Sequence, residues 1–243
     1  MTRPPVVFVH GIRVSGAAWS DQVRLLEARN IRTAVVDLPA HGSRRGDQFS
    51  VDAATDTIAE AIDHVGGQAL VVGHSLGGYM TIAAAARFPQ RFAGMLVAGA
   101  TAIPNRVFGL PFLAGYHVLR RLPDGGEAAS RALLSRFASG ALVDEIMAAG
   151  IATEAVPDVV REVADFDVLE ALRSFSGPVW LVNGTLDHFR LHERRFAAVA
   201  GVELRHVRRA GHYLPTTHPE EFAAIVAEAV DTLAPLTPRG GNS

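Results

Sequence analysis

Apolar and polar positions alternate along the chain in two rhythms. Short β-branched runs occur at Val6–His10, Thr33–Leu38, Gln68–His74, Gly94–Ala100, Pro178–Gly184 and Val202–Val207. Each is too short for a helix and reads as a buried strand. Between them the period lengthens. Trp19–Arg29 places Trp19, Val23 and Leu26 on one face, and Asp52–Val65 places Ile58, Ile62 and Val65 along one stripe. Leu76–Phe88 is an Ala-rich helix stopped by Pro89, and a last helix spans Pro219–Leu233, followed by PLTPRGGNS, which is expected to fray. Strands alternating with helices predict an α/β fold. Its mostly parallel central sheet of about six strands is flanked by helices.

One stretch breaks this alternation. Residues 101–177 (77 positions) contain helical patterns but no convincing strand. This is far longer than an ordinary crossover. The expected organisation is a core of residues 1–100 and 178–243, with 101–177 inserted as a helical cap.

Composition narrows the chemistry. The chain has 243 residues, no cysteine, and 23 basic against 25 acidic residues. All the basic residues are arginine. Disulfides, thiol nucleophiles and thiolate metal sites are excluded, as are lysine Schiff bases and the phosphate-loop lysine. A net charge of −2 gives no general attraction to nucleic acid or an anionic membrane. No G-x-G-x-x-G is present, so no cofactor is expected. His188, His192 and Glu193 lie on one segment, but with Arg190, Arg194 and Arg195 among them the reading is a solvated charged helix, not a metal face. The N-terminus runs straight into the first strand without a signal-peptide pattern, and no run approaches a membrane span. The expected location is cytoplasmic, and the expected partner a small-molecule substrate.

Gly73-His74-Ser75-Leu76-Gly77 fits G-x-S-x-G, with a strand before it and a helix after it. A serine on so sharp a turn leaves no room for side chains two residues away. Serine needs a base to remove its proton, and the base needs an orienting acid. In a strand-turn-helix site of this kind the chain order is Ser, acid, His, each at the end of a strand. Asp187 follows PVWLVNG and His212 follows VELRHV. Ser75, Asp187 and His212 are therefore the candidate nucleophile, acid and base. His206 lies inside a strand, and Asp165 and Asp167 precede a helix and read as caps. The strand GMLVAGATA ends without a carboxylate. The two N–H donors for an oxyanion are expected from Leu76 and from Ile12, with Gly11 allowing close backbone approach.

The motifs VFVHG, DLPAHG, VVGHSLGGYM, RFPQRF, PVWLVNGTLD and AGHYLPTTHPEEF resemble those of the α/β-hydrolase superfamily, from Val6 to Leu233. The resemblance implies the same Ser75–His212–Asp187 assignment. Only five residues precede the first strand, so the superfamily's usual N-terminal hairpin is expected to be missing. That short start, with Trp19 eight residues after Gly11, is similar to the plant methylesterase and hydroxynitrile lyase branch. Such lyases carry threonine where Gly11 stands and lysine where Tyr213 stands, which points here to hydrolysis. In the cap, Phe108, Phe112, Tyr116 and His117 are expected to line a substrate pocket. The expected activity is cleavage of a small, largely apolar carboxylic ester or lactone through an acyl-enzyme. The alternatives are carbon–carbon cleavage of a diketone by the same triad, or a triad-bearing ligand receptor with slow turnover.

Overall fold

The computed structural model of the protein describes residues 3–199 and 201–234; the tail expected to fray, 235–243, lies outside them. In chain order the regular elements are β1 (Val6–Val9), α1 (Ser20–Glu27), β2 (Thr33–Val36), α2 (Val51–His64), β3 (Ala69–His74), α3 (Leu76–Arg87) and β4 (Phe92–Ala98). Five helices follow: α4 (Arg106–Leu119), α5 (Glu127–Leu134), α6 (Gly140–Ala149), α7 (Val156–Ala164) and α8 (Val168–Ser174). The chain then returns to the sheet through β5 (Val179–Gly184), α9 (Glu193–Ala197), β6 (Val202–Val207), α10 (Leu214–Thr217) and α11 (Pro219–Leu233).

Among the described residues the sheet has six strands in the order β2-β1-β3-β4-β5-β6. Every pair is parallel. Parallel strands need both faces covered, and the side chains divide accordingly. Val7, Val9, Val71, Val97 and Leu181 face one apolar layer, which contains α2 and α3 residues such as Ile58 and Met80. Val6, Phe8, Leu70, Leu96 and Trp180 face the other, which holds Leu26 of α1 and Phe222 and Val226 of α11. Trp19 stacks on Phe8 at 4.6 Å and on Phe222 at 6.0 Å between ring centroids.

Two strand ends depart from the sequence pattern for local reasons. β4 starts at Phe92 instead of Gly94, because a register shift pairs Ala69 with Phe92 and Leu70 with Gly94 and so absorbs Ala93 as a bulge. β2 stops at Val36 because the Leu38 N–H is taken by the ring of His10, 3.0 Å away.

Among the described residues the regular elements between β4 and β5 are all helices, and the last of them reaches a core helix. α8 packs against α3. Val168, Leu169, Leu172 and Phe175 join the first apolar layer, with the Phe175 ring 6.0 Å from Phe92. The apolar spacing of α8 thus serves this layer, as do Val159 and Val163 of α7. Asp167 caps this helix by accepting the Glu170 N–H at 3.0 Å.

The sheet order reverses beside β1, where β2 and β3 lie on either side. In open α/β sheets this switch point, at the C-terminal strand ends, is where ligands bind. The pairing of Val9 with Gly73 brings the loops after β1 and β3 together. β5 and β6 place their following loops side by side as well.

Candidate active site

β3 ends in a turn that no ordinary residue adopts freely. Ser75 has φ 55° and ψ −117°, a conformation that costs a side-chain-bearing residue roughly 1–2 kcal/mol. The glycines around it are required sterically. A Cβ on Gly73 would press into the Gly77 carbonyl oxygen and the Thr81 hydroxyl, and one on Gly77 into the Val9 carbonyl oxygen. Gly11 is less constrained than expected, since a Cβ there would meet its neighbours at 3.4 Å or more. The left-handed residue of that first loop is Arg13, at φ 73°.

The three residues singled out from the sequence meet at the strand ends. His212 Nε2 lies 3.1 Å from Ser75 Oγ, and its Nδ1 lies 3.2 and 3.3 Å from the two Asp187 carboxylate oxygens. With the imidazole proton on Nδ1, the ring donates to Asp187 and accepts from Ser75. Asp187 is 3% exposed and also accepts the Phe189 N–H at 2.8 Å. Burial works to raise its carboxyl, but the His212 hydrogen bond and charge, the Phe189 N–H and His74 outweigh it and hold the group below the usual range. Phe189 stacks on the His212 ring at 4.2 Å.

The loops that carry Asp187 and His212 are stitched together by main-chain bonds, Thr185 N–H to Val207 O at 3.0 Å and Leu186 N–H to Ala210 O at 2.9 Å. Gly184 is needed at this crossing, because a Cβ there would enter the Ala210 carbonyl. Gly99, after β4, touches the pair itself. A Cβ at that position would stand 3.1 Å from both Asp187 Oδ2 and His212 Nδ1.

Of the expected oxyanion donors, Leu76 follows Ser75 directly at the start of α3, and Ile12 comes from the loop after β1, across the β1–β3 pairing, and borders the same cavity as Ser75. Neither N–H has a backbone or side-chain acceptor among the described residues.

Two buried histidines were not singled out from the sequence. His74 donates Nε2–H to the His212 carbonyl at 2.8 Å. His10 accepts the Leu38 N–H on Nε2 and donates Nδ1–H to the Gly11 carbonyl at 2.8 Å. Burial, reinforced by a neighbouring imidazole, lowers each to about 3. Both are thus neutral at ordinary pH and act as fixed donors. The only sequence signal was their place next to turn glycines.

Ser75 borders two cavities. The larger, about 230 Å³, is walled by Phe112, Leu133, Leu134, Phe137 and Tyr213, with Arg13 and His188 as polar elements. The smaller, about 60 Å³, lies between Leu76, Tyr79, Phe108, Phe112, Val159 and Val163. Of the four cap residues expected on a pocket, Phe112 lines both cavities and Phe108 the smaller one. Tyr116 and His117 line neither. Tyr116 is one turn further along α4 and gives its hydroxyl to Glu154 at 2.9 Å. The α5 side was missed, although Ser130, Leu133, Leu134 and Phe137 recur at helical spacing.

The remaining histidines sort by their contacts. His188 is 72% exposed at the rim, its ring 5.3 Å from that of His212. His192 Nδ1 accepts the Ile103 N–H at 3.0 Å. Glu193 departs from the solvated helix expected for this segment. Its side chain is 12% exposed and receives Arg190, Asn183 and His206. Burial opposes ionisation, but these three partners hold its carboxyl at about 2. Arg205, part of a basic cluster in the sequence, is paired with Glu203 and Glu228. Among the described residues no helix is long and apolar enough to cross a membrane.

A parallel sheet with a strained serine after β3, facing a histidine and a buried aspartate from the loops after β6 and β5, is the arrangement of a hydrolase fold. The chain matches the alpha/beta hydrolase family over residues 6–225, and it belongs to that family. It is 33% identical to a pyrethroid hydrolase of Sphingobium wenxiniae over 118 residues, 46% of this chain and 42% of that protein, so the match spans less than half of that relative. It is 26% identical to a pimeloyl-[acyl-carrier protein] methyl ester esterase of Neisseria meningitidis over 242 residues, 93% of each chain. Among solved structures, a carboxylesterase study of Nitrososphaera gargenis gives a fold likeness with a TM-score of 0.80 at 16% identity, covering 95% of this chain and 91% of that one.

Proposed function

We propose that the protein is a serine hydrolase that cleaves a small, largely apolar carboxylic ester or lactone through an acyl-enzyme. The observation that carries this reading is the unbroken line of hydrogen-bonding distances from Ser75 Oγ through His212 to Asp187, at the junction of two apolar cavities. In the first step Ser75 Oγ attacks the carbonyl carbon while His212 Nε2 takes its proton. Asp187 keeps the imidazole in the required tautomer and stabilises the imidazolium. The tetrahedral oxyanion accepts from the Ile12 and Leu76 N–H groups, the second backed by the start of α3. His212 returns the proton to the leaving oxygen, then draws one from water, which attacks the acyl carbonyl and frees Ser75. In a lactone the leaving oxygen stays attached to the acyl chain and departs only after deacylation.

The helices α4 to α7 act in this proposal as the cap, with Phe112 dividing the two cavities. Gly11 and Tyr213, where cyanohydrin lyases have threonine and lysine, favour hydrolysis. A fluorophosphonate probe tests the nucleophile. Phosphonylation is expected on the Ser75 peptide and should be absent from folded His212→Ala, whereas labelling elsewhere, or labelling indifferent to His212, would remove the assignment.

A further inference from the structure

The larger cavity contains a charge without a counter-charge. Arg13 follows the oxyanion residue Ile12, and its guanidinium lines that cavity. It makes two side-chain hydrogen bonds, both from Nη2 to neutral hydroxyls, 2.5 Å to Ser130 Oγ and 3.3 Å to Thr153 Oγ1. Its Nε is buried without an acceptor. Among the described residues Arg13 forms no ion pair with a carboxylate, and no Asp or Glu lines the cavity. On the outer side of the same wall, Asp124, Glu127 and Glu154 border a separate cavity, and none of them pairs with Arg13 among the described residues. Glu154 accepts from Tyr116, and Asp124 accepts the Gly126 and Ala128 N–H groups.

A guanidinium remains charged under all ordinary conditions. Partial burial lowers its pKa from the ordinary value, because the charged form is less well solvated there. Buried charges are normally paired, because an unpaired one costs several kcal/mol. Here the chain also accepts the left-handed strain of Arg13, at a position where glycine or asparagine would be easier. A planar fork with unused donors matches a carboxylate well.

We propose that Arg13 binds a free carboxylate of the substrate, so that the molecule cleaved at Ser75 is a monoanionic ester or lactone with an apolar body. This deepens the hydrolase reading and rests on it for the reaction, though not for the binding. Leu133, Leu134 and Phe137 receive the chain between the two ends. One guanidinium flanked by two hydroxyls suits a single carboxylate better than a phosphate dianion.

The test measures binding of the monomethyl esters of succinate, glutarate and adipate to folded Ser75→Ala, beside the neutral methyl ester-amides in which a carboxamide replaces the free carboxylate. At least one monoester is expected to bind about 10- to 100-fold more tightly than its neutral ester-amide, as a charge-assisted hydrogen bond predicts. In Ser75→Ala/Arg13→Met this ratio should fall to near one, and Arg13→Lys should restore part of it. A purely structural latch between the first loop and α5 would weaken both ligands alike and leave the ratio unchanged. Equal binding of monoesters and neutral ester-amides, absence of monoester binding at millimolar concentration, or a ratio that survives Arg13→Met would each overturn the proposal. The two readings fail separately. An anion preference without Ser75-dependent turnover would remove the hydrolase and leave the subsite, and ester turnover without an anion preference would do the reverse.

Discussion

His74 donates its Nε2–H to the main-chain oxygen of His212 at 2.8 Å, so the residue just before the nucleophile holds the loop that carries the base. The two rings lie 4.8 Å apart. His74 is a positioning residue, and its loss should act through the placement of His212. His74→Leu is expected to lower kcat about tenfold or more with a smaller effect on KM, and His74→Gln, which keeps a donor, should recover part of it. Equal losses in both variants would argue that the hydrogen bond is not what matters.

The same burial makes stability depend on pH. His10 and His74 have folded pKa values lowered from 6.5 to about 3, so the unfolded chain binds their protons first. Their contribution is complete above pH 6.5 and is lost as pH falls towards 3, by about 1.4 kcal/mol per pH unit for each group. Asp187, whose folded value is depressed, loses its contribution in the same direction at lower pH. Urea unfolding between pH 6.5 and 4.5 should show this decline, with a shallower slope in His74→Gln. Parallel slopes would contradict a neutral buried His74.

Asp187 is the only carboxylate within reach of His212 Nδ1 among the described residues. Asp187→Asn preserves the shape but favours the wrong tautomer, and kcat should drop by about 10³- to 10⁴-fold. Ligand binding to the folded variant should be nearly retained. A loss below tenfold would mean another group orients the base.

The glycines of the turns separate into two kinds. Gly77→Ala would drive a Cβ into the Val9 carbonyl, and a loss of about 3 kcal/mol or more is expected. Gly11→Ala meets only ordinary contacts and should stay within about 1 kcal/mol of wild type. Thermal melts of the two variants decide between this ordering and the reverse.

Both cavities share Phe112, whereas Tyr116 lies outside them. Phe112→Ala should move the preferred acyl length of a linear ester series upward by merging the cavities. Tyr116→Ala should leave the preferred length unchanged and cost stability through the lost Glu154 contact. A shift in preference from Tyr116→Ala alone would move the pocket to the far end of α4.

Much of this was legible before the structure. Strands buried on both faces leave continuous apolar runs, and a serine turn that admits only glycine two residues away leaves a recognisable motif. Asp187 and His212 stood out because each lies in the loop after a strand, beyond Gly184 and Val207. What stayed hidden depends on residues far apart in the chain. Arg13 meets Ser130 and Thr153, 117 and 140 positions away, and nothing in its own segment announces that wall. His74 and His10 read as parts of glycine turns, since their bonds run to backbone groups. Glu193 sits in a run of charges that looks solvated until Asn183 and His206 close over it. The α8 stripe has the same spacing whether it seats a cap or covers the sheet.

In the proposed mechanism everything follows from the attack of Ser75 on an acyl carbonyl. The most direct measurement is p-nitrophenol release from acetyl, butyryl and octanoyl esters, wild type beside Ser75→Ala, with both shown to be folded. The account predicts turnover with a chain-length optimum in the wild type and loss of about 10³-fold or more in the variant. Equal rates in the two proteins, or no release by folded wild type from any of the three esters, would contradict it.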